Sequence, residues 1–276
     1  MTPPPYQEGH LADEADLRGR GWMLGFAGMA IAFVGAMCGI GGGLFAVPLL
    51  HFGFRIHLRR AVATSLALVF ATTSAATLAE VFSGESAIQW GKVGFMTLGI
   101  LLGAQAGFPV SKRFDTRQLR GIFSVVILAA ALRILFRGEA ALVEPVATGW
   151  WPNLYAGLAG FGAGFVSPIL GIGGGLVMVP ALLLGPSGLS FAAVRACSMA
   201  AAVVTSGRSL SMYWREGSLH HIATPFLAGG AFIGAIVGVG AVHMPGVIEH
   251  ARTMLGLVLV FVSVRFAVAW WMGRGR

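Results

Sequence analysis

The chain has 276 residues, of which 56% are hydrophobic and 11% are charged, and its mean hydropathy is +0.79. A soluble protein could not cover this much apolar surface, so the composition predicts an integral membrane protein. A formal net charge of +8 would favour nucleic acid as the partner of a soluble protein. Here most Lys and Arg lie in short loops and tails, where they set membrane topology, so we expect no nucleic-acid partner.

Residues 1–20 form the first region of the chain, and we predict that they are a short, flexible cytoplasmic tail. They carry four acidic residues and three consecutive prolines from Pro3, unlike the positively charged start of a cleavable signal. A tail without an apolar face has nothing to bury, which favours mobility.

Eight apolar stretches follow, each long enough to span a bilayer at roughly 20 residues. We predict a first transmembrane repeat over residues 21–138, a linker over 139–150 and a second repeat over 151–276. The apolar stretches lie near residues 22–50, 60–83, 90–111, 119–137, 151–185, 189–214, 222–243 and 252–272.

One motif occurs in both halves of the chain. GIGGGLFAVPLL occupies residues 39–50, and GIGGGLVMVPALLL begins at Gly171. Residues 63–67 (ATSLA) match 196–200 (ACSMA) at nearly the same offset. Glycine clusters, followed by Pro48 and Pro180, would interrupt two apolar segments at equivalent places. Broken helices in repeated halves are typical of transporters.

The distribution of Lys and Arg distinguishes two topologies, because cytoplasmic loops hold the excess of these residues. If all eight segments cross, the two sides carry nearly equal numbers. If the first segment of each half turns back at its glycines, twelve Lys and Arg lie inside and four outside. This favours re-entrant hairpins, cytoplasmic termini and halves of opposite orientation. However, residues 22–38 would form about 26 Å of helix, which is nearly a full span. A first segment that crosses the membrane completely is therefore the alternative to a re-entrant hairpin.

The predicted fold is therefore an all-α membrane protein of two inverted repeats, each a glycine-broken helical hairpin followed by three transmembrane helices. Glycines reach positive φ easily and carry no side chain, so their backbone N–H groups can converge on an anion at the start of a helix. The alternative is that these glycines only allow close helix packing. The candidate substrate-binding glycines are Gly39, Gly41, Gly42, Gly43, Gly171, Gly173, Gly174 and Gly175.

Arg208 is the strongest charged candidate for substrate binding, because it lies well inside an apolar segment. A charge at such depth normally faces a cavity or a partner, and a guanidinium can hold two oxygens of a sulfonate. Alternatively, Arg208 reaches the membrane interface or pairs with Glu80. Arg195 lies nearer the end of its segment and is more readily explained as an interfacial anchor.

Uncharged polar residues complete the candidate site. Thr64, Ser65 and Ser198 lie near the start of the helices that follow the hairpins, where they could bind the anion or serve as helix caps and interhelical hydrogen-bond donors. Gln105 is polar within an apolar run, so it lines a path or bonds a neighbouring helix.

The twin motifs resemble those of the sulfite exporter TauE/SafE family of anion transporters. The residues that carry the resemblance are 39–48 with 63–66 and 171–180 with 196–199, and it extends over residues 22–272. It implies export of a small sulfur-containing anion, but it does not identify the substrate. Cys197 stands where the first half has Thr64, which removes one hydroxyl from the second half.

These observations predict a secondary transporter of the bacterial inner membrane that exposes a midplane anion site alternately to each side. No GxxxxGK[ST] motif occurs, so we expect no ATP hydrolysis, and we expect neither a cofactor nor a metal. A passive anion channel is the alternative, and a membrane-embedded enzyme a weaker one. A coupling ion, either proton or sodium, and a homodimer remain open expectations.

Overall fold

The computed structural model describes residues 19, 21–84, 86–113, 124–136 except 126, 130 and 133, 150–244 and 246–272. Apart from residues 19 and 150, the predicted tail and linker lie outside the described residues. Every regular element in these ranges is helical, as predicted for the fold class.

The helices follow the same order in the two halves. In each, a long helix ends at a glycine cluster, a short helix follows, and longer helices come after it. Helical residues also occur between 124 and 136, before the second half begins. The helices are α1 (Gly21–Cys38), α2 (Gly43–Pro48, continued by π-helical Leu49–Gly53), α3 (Leu58–Phe82), α4 (Trp90–Arg113), α5 (Trp151–Leu170), α6 (Gly175–Leu184), α7 (Phe191–Arg215), α8 (Ala223–Val242) and α9 (Val247–Met272).

Four described segments are long and apolar enough to cross a membrane, namely Gly21–Cys38, Leu58–Phe82, Ala223–Val242 and Val247–Arg265. The remaining long helices, α4, α5 and α7, have 24, 20 and 25 residues. Large apolar side chains such as Trp22, Leu102 and Phe232 are exposed on the protein surface, as expected where lipid replaces water. The protein is an integral membrane protein.

The prolines of the repeated motif do not interrupt the helical backbone, contrary to the expectation that they contribute to the break. Pro180 lies within α6, which continues to Leu184, and Pro48 is followed directly by the π-helical turn. Within the two motifs, only the glycines interrupt the helices. A proline lacks the N–H that a regular helix needs, and the π-helical turn after Pro48 is one way to accommodate that loss.

Glycines bring helices of opposite halves into backbone contact. On α4, a β-carbon placed on Gly103 would collide with the carbonyl oxygen of Phe161 on α5. On α8, a β-carbon on Gly234 would collide in the same way with Met29 on α1. Helix α1 therefore packs on α8, and α5 packs on α4, so each half contributes one helix to each pair.

The order of contacts gives the direction of the helices. Along α3 and α7 the order is opposite, since Arg59 pairs with Glu216 whereas Glu80 pairs with Arg195. Thus these two helices, which occupy equivalent places in the two halves, run antiparallel.

Helix α8 runs parallel to α3, because the start of α3 is near His220 and its end is near His243. The glycine contacts make α1 parallel to α8, since Gly21 meets Phe226 whereas Gly238 meets Phe33. Helices α1 and α3 therefore run the same way, so the chain must return between residues 39 and 57.

The second half repeats this arrangement. The contacts Gly99 to Gly157 and Gly107 to Phe165 make α4 parallel to α5. Helix α4 is also parallel to α7, because Gln89 contacts Cys197 near one end and Phe108 stacks on Tyr213 near the other. Helices α5 and α7 consequently share a direction, and the chain returns between them through α6.

Candidate anion site at the two glycine breaks

The two breaks have nearly the same backbone conformation. Three glycines in each adopt positive φ, a region that strains any residue with a side chain. The values are 78°, 76° and 82° at Gly39, Gly41 and Gly42, and 71°, 76° and 83° at Gly171, Gly173 and Gly174. The predicted interruption of both helices at the glycine clusters is confirmed.

The breaks lie against one another in the protein interior. A β-carbon placed on Gly43 would be 2.8 Å from the carbonyl oxygen of Gly171, and one on Gly175 would be 3.0 Å from that of Gly39. All four glycines are buried. Contacts this close leave no room for a side chain, so the sequence can place only glycine at the crossing.

Two serines hold the breaks together through reciprocal hydrogen bonds. The Ser65 hydroxyl donates to the carbonyl oxygen of Gly171 at 2.8 Å, and the Ser198 hydroxyl donates to that of Gly39 at 2.8 Å. Each serine thus binds the break of the other half. Both lie inside α3 and α7 rather than at their starts, and the residue that caps α7 is Ser190. These contacts correspond to the interhelical alternative for the serines.

The breaks lie near the middle of the long helices α3 and α7. Val69 on α3 is the closest residue to β-carbons placed on Gly41 and Gly173, and Thr205 on α7 is closest to Gly174. Both Val69 and Thr205 are fully buried.

Each break begins a helix whose first amides are unpaired. The N–H groups of Gly43 and Leu44 at the start of α2, and of Gly175 and Leu176 at the start of α6, find no acceptor among the described residues. Gly43, Gly175 and Leu176 are buried. Buried N–H groups without partners are rare and costly, and they carry the partial positive charge of the helix start. The arrangement can bind an anion.

A buried ion pair adjoins the first break. Arg195 on α7 and Glu80 on α3 meet at 2.6 Å, with side chains only 2% and 3% exposed. A β-carbon placed on Gly39 would be 3.0 Å from the Cα of Arg195. The prediction of Arg195 as an interfacial anchor is wrong, because its side chain is buried and paired with Glu80. The alternative in which Arg208 pairs with Glu80 is also wrong, because Glu80 contacts Arg195 and His243 instead.

Arg208 lies one turn after Thr205 on α7 and is partly buried. It forms no ion pair with any residue that the structure describes. Neither break is hydrogen-bonded to its guanidinium in the described part of the chain.

The remaining candidates are Thr64 and Gln105, and neither forms a hydrogen bond with a break in the described part of the chain. The buried hydroxyl of Thr64 accepts a hydrogen bond at 3.3 Å from the backbone N–H of His220, in the turn before α8. Gln105 lies on the exposed side of α4, away from the glycines Gly103 and Gly107 that face α5. Sequence reasoning missed Val69 and the pairing of Arg195. The available signal for that pairing was Glu80, the one acidic residue clearly within an apolar segment.

Comparison with known proteins identifies the family. The profile of the family described as sulfite exporter TauE/SafE matches residues 5–139 and 156–276, one match in each half. The chain belongs to the sulfite exporter TauE/SafE family. This membership agrees with the apolar helices, which identify an integral membrane protein.

Several relatives carry the name "probable membrane transporter protein". One from Haemophilus influenzae is 27% identical over 58% of this chain and 59% of its own length. One from Methanocaldococcus jannaschii is 26% identical over 59% and 61%. A third, from Xylella fastidiosa, is 26% identical over 86% and 91%. The chain thus covers about 60% of the length of the first two. No solved structure matches the chain.

Proposed function

We propose that the protein is a secondary transporter that exports a small sulfur-containing anion, such as sulfite or a sulfonate, by alternating access to a site at the two glycine breaks. The observation that carries the proposal is the pair of touching breaks, whose unpaired N–H groups begin helices α2 and α6. The family description supports export of such an anion, and the names of the relatives support membrane transport.

The chemistry of the breaks favours an anion over a cation. A break exposes both N–H and C=O groups, and exposed carbonyl oxygens would attract a cation. Here the hydroxyls of Ser65 and Ser198 donate to the carbonyls of Gly171 and Gly39, which engages one carbonyl in each break, whereas the first N–H groups of α2 and α6 have no acceptor among the described residues. Three or four such donors can bind the oxygens of a sulfite or sulfonate group.

In this proposal, Gly39, Gly41, Gly42 and Gly43 form one wall of the site, and Gly171, Gly173, Gly174 and Gly175 form the other. Arg208, one turn beyond Thr205, adds positive charge. Thr64 and Gln105 would contact the anion only along its path, since their side chains lie outside the crossing of the breaks.

The directions of the helices support an inverted repeat. Helices α3 and α7 run antiparallel, and within each half the helices that flank the short return helix run the same way. This is the arrangement expected of re-entrant hairpins in two halves of opposite orientation. With the excess of Lys and Arg inside, both termini would be cytoplasmic in the inner membrane of a bacterium.

A binding screen followed by an exchange assay tests the proposal. We expect purified protein to be stabilised thermally by one or more of sulfite, sulfoacetate, thiosulfate, taurine and simple carboxylates, because a ligand that binds the folded state raises its stability. Proteoliposomes should then exchange the same labelled anion in a saturable manner. Linear flux without exchange would indicate a channel, and neither stabilisation nor flux with any anion would refute the proposal.

A further inference from the structure

Three ionisable side chains from three helices meet beside the first break. Glu80 lies near the end of α3, Arg195 near the start of α7, and His243 directly after α8. One carboxylate oxygen of Glu80 is 2.6 Å from Arg195 Nη2, and the other is 3.8 Å from His243 Nε2. We name these three residues the charge cluster.

The Arg195 guanidinium is only partly satisfied in the charge cluster. Its Nη2 donates to Glu80, but its Nε–H is buried and has no hydrogen-bond partner among the described residues. The aliphatic part of Arg195 lies against the first break, since a β-carbon on Gly39 would be 3.1 Å from Arg195 Cγ. The side chain is therefore a buried cation with an available donor next to the proposed anion site.

His243 is oriented by a backbone contact. Its Nδ1 lies 2.9 Å from the carbonyl oxygen of Val239, which can only accept, so Nδ1 carries a hydrogen and donates to it. In the neutral ring, Nε2 therefore has a lone pair, and it faces a carboxylate oxygen of Glu80 at 3.8 Å. A proton bound at Nε2 would turn two opposed acceptors into an ion pair.

Removing the counter-charge from a buried cation is strongly destabilising, so Arg195 needs one anion at all times. We propose that the charge cluster couples the transported anion to a proton. A proton from water binds His243 Nε2, and the imidazolium attracts the Glu80 carboxylate. Arg195 then takes the oxyanion at the adjacent break as its new counter-charge. One proton and one negative charge of the anion bind to the site together, and both are released when His243 loses its proton.

The other titratable groups nearby are already engaged elsewhere. The Nζ of Lys92 on α4 donates to the carbonyl oxygen of Ser187, and the Sγ of Cys197 on α7 accepts from the backbone N–H of Gln89. Neither hydrogen-bonds Glu80, whose oxygens contact Arg195, His243 and the N–H of Ala87. His243 is the most exposed member of the charge cluster, because its side chain is 25% exposed and lies in the turn after α8.

The inference rests on the proposed function, and binding of one anion at several pH values tests it. Thiosulfate is a suitable probe because it stays fully ionised near neutral pH. In the wild type, coupled uptake of one proton should raise thiosulfate affinity by at most about tenfold for each unit of falling pH. His243→Gln should bind weakly with no pH dependence, because Arg195 then stays with Glu80.

Glu80→Gln should have the opposite effect on thiosulfate affinity from His243→Gln, again with no dependence on pH. Arg195 then lacks its carboxylate, so thiosulfate should bind tightly at every pH. Arg59→Gln, which removes an exposed ion pair with Glu216, is the matched control and should keep the wild-type slope. If Glu80→Gln does not fold, His243→Gln decides alone, since it leaves the Arg195–Glu80 pair intact.

The outcomes separate the two proposals. Wild-type binding of thiosulfate that does not change with pH, or a wild-type slope in His243→Gln, overturns the coupling while leaving anion transport in place. If thiosulfate does not bind, the pH series is repeated with the anion that stabilises the wild type, and absence of binding of every screened anion at every pH overturns both. Proteoliposomes with a trapped pH dye supply the second measurement, and thiosulfate flux without accompanying proton flux also overturns the coupling.

Discussion

The two ends of the crossing between α3 and α7 have the same framework and different chemistry. Ser65 and Ser198 occupy equivalent positions and make equivalent hydrogen bonds. Fifteen residues after them stand Glu80 and Tyr213, and three residues before them stand Val62 and Arg195. One end therefore holds a buried ion pair.

The other end of this crossing is apolar where it is buried, and its ion pair, Arg59 with Glu216, is exposed. Val62 and Tyr213 belong to one small hydrophobic cluster, in which the Tyr213 ring stacks edge-on against Phe108 at 5.5 Å. The Tyr213 hydroxyl donates to the carbonyl oxygen of Pro168 at 2.8 Å. The repeat thus preserves the backbone site, whereas a buried ion pair occurs at one end only among the described residues. Substitutions at matched positions can test this division.

The largest effect is expected when both breaks are filled at once. In Gly42→Val with Gly174→Val, the new side chains would meet Ile31 at 2.7 Å and Thr205 at 2.9 Å, at φ values of 82° and 83°. Strain and overpacking should cost about 1 to 3 kcal/mol at each position, and transport should be abolished. Labelled-anion uptake in proteoliposomes measures this.

The matched control is Gly94→Ala on α4, where a β-carbon would meet nothing within 4 Å. It should transport as the wild type does. Full activity in the double valine variant would remove the breaks from the site.

The next largest effect is expected at the end with the buried ion pair. Glu80→Gln leaves Arg195 buried without its counter-charge, which should lower the free energy of unfolding by about 3 to 5 kcal/mol. Tyr213→Phe, the equivalent change at the other end, removes one hydrogen bond and should cost about 0.5 to 1.5 kcal/mol. Thermal unfolding in detergent compares the two. Equal losses would contradict the division between the ends.

The serine substitutions should have matching effects. Ser65→Ala and Ser198→Ala each leave a buried carbonyl oxygen without its donor, which should cost about 1 to 3 kcal/mol. Because the bonds are reciprocal and equally long, the two losses should be similar. Thermal shift measures both. A large loss from one serine and none from the other would mean that the framework is not symmetric.

Arg208 is expected to give the smallest effect, on binding alone. Arg208→Ala should weaken anion affinity by about tenfold, the size of one charge-assisted hydrogen bond. Arg208→Lys should restore part of this, because an ammonium keeps the charge but loses the two-pronged contact. Calorimetric titration of the stabilising anion gives both values. Unchanged affinity in both variants would limit Arg208 to a structural role.

Local sequence predicted what depends on local chemistry. Glycine is the residue that accepts positive φ, so the clusters at residues 39–43 and 171–175 were sufficient to locate both breaks. The length and composition of the apolar stretches located the long helices that the structure describes, within a few residues. The start of α9 at Val247 was missed, because Glu249 and His250 lower the hydropathy there.

Pairings between distant residues could not be read in the same way. Glu80 and Arg195 are 115 residues apart, and the sequence suggested Arg208 rather than Arg195 as the partner of Glu80. The serines lie 106 and 159 residues from the glycines that they bind. Hydropathy indicates that a buried polar group needs a partner, but the topology of the helices decides which partner it finds.

The glycine-lined contacts also determine which parts of the protein can move as one. Backbones touch along α1 with α8 and along α4 with α5, so the helices cannot slide or tilt within either couple without steric collision. Each couple draws one helix from each half of the chain. A rearrangement that opens the breaks to water would therefore move the α1–α8 pair relative to the α4–α5 pair. The boundary of that motion does not coincide with the boundary of the sequence repeat.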